Sequence, residues 1–235
     1  MFNRLSRRGF DEAKSMSNKT VNVMNQCPNA AAVSGANVLQ TPMHHVEAAI
    51  KARSATRAKT SVTLAEMKLT GLLVLRANAS RDALSKALNK VAGIALPETL
   101  KSTESGAYCA RWMAPDEWLV SCPNIEAFDI ENSLRTAVDG HLAIVNNTGG
   151  YSVMRLSGAD ARNVLKKSTV YDVSPENFQA GKVVNTTLAK AQVVLRALPD
   201  DAFELVVRRS FADYVWLWLQ RAGKEYNMQF KMQES

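Results

Sequence analysis

Two segments of this 235-residue chain repeat one another, and that repeat narrows the possible folds more than any other feature. Val74–Leu84 (VLRANASRDAL) parallels Val153–Leu165 (VMRLSGADARNVL): a β-prone run, an arginine, a capping cluster and then a helical pattern. Ala114–Val120 (APDEWLV) parallels Leu198–Val207 (LPDDAFELVV): a proline–aspartate turn and then an aromatic-led strand. Chance could match two ordinary α+β halves at one such point. Matching caps and matching turns together point to an internal duplication of a strand–helix–hairpin–helix unit. That order predicts an α+β protein built from two ferredoxin-like (split βαβ) halves, with helices on one face of antiparallel sheets.

Element by element, the pattern predicts strands at Leu69–Ala77, Tyr108–Met113, Trp118–Cys122, Leu142–Asn146, Tyr151–Leu156, Thr186–Leu198 and Phe203–Arg208. Helices follow Ser80 (Arg81–Ala92), Asn124 (about Ile125–Val138), the capping box Ser157–Asp160 (to about Lys167) and the capping box Ser210–Asp213 (to about Ala222). Ser168–Lys182 reads as irregular. The duplicated α+β domain spans 61–222, its halves about 61–148 and 149–222, and a C-terminal tail of 223–235 follows.

Residues 1–60 stand apart. They hold nine Lys/Arg against three Asp/Glu, so most of the net charge of +7 lies there, in an Ala/Asn/Ser-rich segment. Low apolar periodicity and surplus charge read as a flexible basic N-terminal extension. The alternative is a docking arm that orders on a partner. A nucleic-acid binder should carry its charge on the folded face, so the expectation is no nucleic acid. No apolar run approaches the roughly 18 residues of a membrane span, and the basic start lacks the apolar stretch of a secretory signal. The expectations are no membrane and a cytoplasmic protein.

Catalytic chemistry is hard to find. Cys27, Cys109 and Cys122 form neither an even disulfide framework nor a CxxC site, and His44, His45 and His141 lack ligand spacing. There is no Walker loop, no GxGxxG after a strand and no nucleophile elbow. Asp116–Glu117 and Asp200–Asp201 sit in predicted turns, where carboxylates stay solvated. Catalytic, cofactor and metal residues are therefore read as none. Should the hairpin loop between Cys109 and Cys122 be two residues long, those cysteines become cross-strand neighbours; two reduced core residues are the alternative.

The last helix points outward. Phe211, Val215, Trp218 and Ala222 share one face, read as the face on the sheet. Trp216 and Leu217 then fall on the solvent side, where large apolar residues mark a protein interface.

Several segments together resemble the gamma subunit of heterotetrameric sarcosine oxidase. They are Thr63–Ala77 (TLAEMKLTGLLVLRA), Met113–Pro123 (MAPDEWLVSCP), Tyr151–Leu195 and Phe203–Leu219 (FELVVRRSFADYVWLWL), covering roughly Ser61 to Ala222. The resemblance implies a non-catalytic subunit of an alpha-beta-gamma-delta oxidoreductase that demethylates sarcosine to glycine. The one-carbon unit leaves as formaldehyde or methylenetetrahydrofolate, with hydrogen peroxide as by-product. It further implies that FAD, FMN, NAD, zinc and tetrahydrofolate belong to partner subunits. Ser157–Ser174 is also similar to the folate-binding aminomethyltransferases of the glycine cleavage system, whose N-terminal region has the predicted fold. In that family a glycine-rich loop with paired aspartates precedes the strand matching Gln192–Leu198. Here Thr187-Leu188-Ala189-Lys190-Ala191 runs straight into it, which weighs against the alternative of a free-standing folate-dependent one-carbon transferase.

Overall fold

The computed structural model describes residues 41–43, 60–78 and 80–232. Cys27, His44, His45 and most of the predicted extension lie outside the described residues.

The first half runs β1 (Thr63–Glu66), β2 (Thr70–Ala77), α1 (Arg81–Ala92), β3 (Ser102–Ser105), β4 (Tyr108–Ala114), β5 (Glu117–Pro123), α2 (Ala127–Ala137) and β6 (Leu142–Asn146). The second runs β7 (Tyr151–Ser157), α3 (Ala161–Lys166), β8 (Val183–Leu188), β9 (Ala191–Ala197), β10 (Phe203–Arg208), α4 (Ala212–Ala222) and β11 (Gln229–Met232). One sheet has the order β3-β4-β5-β2-β6 and the other β8-β9-β10-β7-β1-β11. Apart from β1, the two orders are the same. Within each, the strands flanking the helices give the split βαβ arrangement, extended by one edge strand (β3 or β8). β1 is the exception: it leaves the first half and inserts between β7 (antiparallel) and β11 (parallel).

Strand alternation sorts the side chains into layers. Leu73, Leu75, Trp118 and Val120 point to α1 and α2. Leu156, Leu195, Phe203 and Leu205 point to α3 and α4. A smaller apolar layer lies between the sheets, where Leu72 and Leu119 meet Val153, Val183, Val194 and Val206. At one margin the sheets join through backbone: Ser102 N–H donates to Gly181 O (2.9 Å) and Val183 N–H to Leu100 O (2.9 Å).

Four charged residues sit beside that layer. Arg111 of β4 is 2% exposed and forks onto Glu204 of β10 through Nε–Oε1 (2.7 Å) and Nη2–Oε2 (2.9 Å). Arg196 of β9 lies 3.8 Å from the same carboxylate and pairs with Glu104 of β3. Its other donors meet Ser102 Oγ (3.0 Å) and Cys109 Sγ (3.0 Å). Burial alone would push the Glu204 carboxyl up; Arg111, with Arg196 and Arg155, outweighs it and holds Glu204 below the usual carboxylate range.

Several expectations need correction. Residues 223–235 are not simply a tail, because β11 completes a sheet by pairing with β1 (Thr63 with Gln229). The extension does not run unbroken to residue 60, because Met43 is fully buried in the second core. Thr186–Leu198 is two strands, turned at Ala189 (φ +53°), with Leu188 facing Ala191. The N-cap positions Ser80, Glu126, Asp160 and Phe211 make no side-chain cap bond. Backbone carbonyls take the leading amides instead, as when Ala161 N–H donates to Gly158 O (3.0 Å). Gly158 answers to a different need: a Cβ there would lie 2.2 Å from Ser61 O, and its φ is +114°. The residues leading into β1 pass directly over it.

The phase of α4 is also revised. Ala212, Val215, Trp216 and Leu219 are buried, whereas Phe211, Leu217 and Trp218 are exposed. Trp216 is core, edge-on to Phe230 of β11 (centroids 6.0 Å, 78°). The reading of Trp216 as a docking residue does not survive; Leu217 remains on the outside.

Two outcomes follow for the folded chain. Replacing Glu204→Gln strands the buried Arg111 guanidinium and should cost about 3–5 kcal/mol by denaturant melting. Because the folded carboxyl titrates below its unfolded value, its contribution is present above the ordinary carboxylate pKa and fades as pH falls through the folded one. The parent should therefore lose stability below about pH 4 along a limb that Glu204→Gln lacks; identical acid limbs would refute the pairing. Trp216→Ala should cost about 3–5 kcal/mol, Trp218→Ala no more than about 0.5 kcal/mol. The reverse ranking would restore the sequence-derived helix phase.

Candidate functional site

The turn carboxylates are structural. Glu117 pairs with Arg76 at 3.2 Å. Asp200 and Asp201 adopt φ values of +58° and +51°, a conformation aspartate tolerates better than most residues, and Asp201 accepts a bond from Arg162 at 2.5 Å. Asp116 ties the turn to the neighbouring strand β2, its carbonyl accepting the Ala77 amide (3.0 Å).

The cysteines do not meet. The hairpin loop is two residues, closed by Ala114 opposite Glu117, but a bulge between Trp112 and Ala114 shifts the register. Cys109 therefore faces Ser121 and points between the sheets, while Cys122 points toward α2 on the other face. Burial pushes both thiols up, Cys122 to about 11 with Glu126 adding to it, so neither is a ready thiolate.

Glu66 is the buried acid that the sequence reading passed over. It is 1% exposed on β1 and accepts a bond from Ser152 Oγ (2.8 Å). Burial pushes its carboxyl up, opposed by the Thr41 and Ser152 hydroxyls, the Met43 amide and Arg209. Its neighbours tie residues 41–43 to the sheet. Among the described residues the cavity beside it is only about 10 Å³.

Among the described residues no group of three His, Cys, Asp or Glu is placed to hold a metal ion, and no helix is long and apolar enough to cross a membrane. His141 is exposed. What the described residues do offer is surface. At 100° per residue, Phe211, Tyr214, Leu217, Trp218 and Arg221 occupy one outer arc of α4, opposite the buried stripe. Phe211, Leu217 and Trp218 are 44%, 42% and 37% exposed. Separately, a cleft of about 540 Å³ opens between the sheets beside the β4–β5 turn, with Val194 and Val206 in its floor.

Comparison with known proteins places this architecture. A solved structure of heterotetrameric sarcosine oxidase from Corynebacterium sp. U-96, in complex with pyrrole 2-carboxylate, contains a chain that superposes with a TM-score of 0.71 at 27% identity. That match covers 81% of this chain and 97% of the other. Aminomethyltransferase T of the glycine cleavage system from Bartonella henselae shares the fold (TM-score 0.57, 15% identity), over 77% of this chain and 50% of that one. In sequence, the chain is 26% identical over 202 residues to sarcosine oxidase subunit gamma of Corynebacterium sp. (strain U-96), covering 85% of this chain and 97% of that subunit. It is likewise 26% identical to the gamma subunit from Arthrobacter sp., over 83% and 94%. The model of the sarcosine oxidase, gamma subunit family matches residues 76–225, so both sheets and all four helices lie largely within it, and the chain belongs to that family.

Proposed function

We propose that the chain is a structural, non-catalytic subunit of a heterotetrameric sarcosine oxidase, assembled with alpha, beta and delta subunits. The observation that carries this reading is the end-to-end match with the Corynebacterium gamma subunit: 97% of that subunit is covered, so no large catalytic insertion distinguishes the two. The complex would oxidise the C–N bond of sarcosine to give glycine, a one-carbon unit as formaldehyde or methylenetetrahydrofolate, and hydrogen peroxide. FAD, FMN, NAD, zinc and tetrahydrofolate would reside in the partner subunits, and the assembly would work in the cytoplasm. Burial of ionisable groups supports this division of labour. Arg111 and Arg196, both buried, are neutralised by Glu204 instead of facing a substrate, and the buried Glu66 is bonded by Ser152.

The outer arc of α4 is the docking face we assign to this subunit. Leu217 belongs to it, with Phe211 and Trp218 in place of Trp216. Exposed large apolar residues clustered on one helix face are better covered than solvated, and tryptophan is a frequent interface anchor.

Co-expression of the four subunits, with this chain tagged, tests the reading. The tagged chain should recover the partners with flavin absorbance and sarcosine-dependent peroxide production, and alone should show neither. A stoichiometric flavin on the isolated chain would overturn the non-catalytic assignment. Leu217→Asp combined with Trp218→Ala should weaken recovery of the partners at least about tenfold, since anchors of this kind carry about 2 kcal/mol or more, while the free chain melts normally. Full recovery by that double variant would move the interface off α4.

A further inference from the structure

The cleft between the sheets is a concavity of ligand size, and its chemistry differs from that of α4. One wall is Met113 and Glu117, on either side of the β4–β5 turn. The other is the inner face of β7, β10, β9 and β8, including Tyr151, Arg208, Gln192 and Thr187. Val194 and Val206 belong to the buried apolar layer that packs the sheets together, and Met113 and Tyr151, only partly buried against it, are the apolar residues that the cleft leaves partly uncovered.

Charge in the cleft is unbalanced. Glu117 is neutralised by Arg76 at 3.2 Å. The side chain of Arg208, at the end of β10, makes no hydrogen bond or ion pair among the described residues. An arginine flanked by the partly exposed Met113 and Tyr151 offers a planar fork for a carboxylate, and such a pair strengthens as water leaves.

The width of the opening decides between kinds of ligand. Thr187, Gln192 and Arg208 are all exposed. A small molecule lying there would stay largely solvated, whereas typical small-molecule sites bury most of their ligand. A protein surface would cover all three walls at once.

We propose that this cleft receives a segment of a partner subunit carrying a carboxylate next to apolar side chains, the carboxylate pairing with Arg208 and the apolar groups covering Met113 and Tyr151. The inference rests on the subunit reading given above and adds to it a second contact, separate from the outer arc of α4.

The test uses the co-expressed complex with the full-length chain carrying Arg208→Glu. Recovery of partner subunits should fall at least about tenfold, Arg208→Lys should retain most of it, and the free chain should melt as the parent does. Salt should weaken the parent complex more than one carrying Arg208→Ala. If Arg208→Glu itself melts low, Thr187→Trp serves in its place: it fills the cleft from an exposed strand position and should weaken assembly in the same way. Failure of the parent chain to recover partners would sink the subunit reading itself. Normal assembly by Arg208→Glu, with an unchanged salt response, would overturn only the cleft proposal. A small anion found by native mass spectrometry on the parent complex, and lost in an Arg208→Glu complex that still assembles, would also overturn it and make the cleft a small-molecule site.

Discussion

Arg111 and Glu204 come from different halves of the chain and meet between two sheets, almost out of contact with water. A guanidinium in such a place is tolerable only if its partner is fixed, so the pair ties the position of one half to the position of the other. Neither half can slide without uncovering an unpaired charge. Ser121, Cys109 O and Arg196 occupy the remaining donors and acceptors, which turns a single pair into a network and restricts its geometry further. Buried ion pairs often add little net stability compared with apolar packing. Their effect here is one of specificity. The six-residue apolar layer of valines and leucines between the sheets would accept several offsets, and the charged network accepts one.

The two ends of that inter-sheet layer are unlike. Near β3 and β8 the sheets are joined by backbone hydrogen bonds and by the charged network. Near the β4–β5 turn they leave a cleft with a free arginine. Related folds that bind small molecules need a supply of converging polar groups. The described residues instead use most of their buried polar groups to hold the two halves together, as a subunit does whose task is to present a rigid surface.

Much of this architecture was legible in the sequence. The α1 and β10 boundaries, the shared strand–helix–hairpin–helix order and the split βαβ halves all follow from apolar periodicity and turn residues within a short window. What escaped depends on distant partners. β1 is four residues long and places Glu66 at a buried position, which hides its alternation. β3 is STES, a polar edge strand. β11 exists because β1 is beside it. The error in α4 has the same root: its stripes 211/215/218/222 and 212/215/216/219 are both apolar, and Phe230 on the unrecognised β11 selects the second. Arg111 and Glu204 fall at positions that alternation assigns to the solvent side of an isolated half. They become interior only when two halves are set face to face. The cysteine geometry turned on one bulged residue, which loop length does not reveal.

The placement of β1 has a consequence for how the chain can be made. A strand from the beginning of the fold lies between β7 and β11, and its partner on one side is the last strand of all. The first sheet can close as soon as β6 has left the ribosome, but in the second the edge of β1 away from β7 must wait for the final strand. Contacts of such long sequence separation slow folding and leave an edge exposed in the interval. Glu66 at the end of that waiting strand is the kind of residue that keeps an unpaired edge from joining the wrong neighbour.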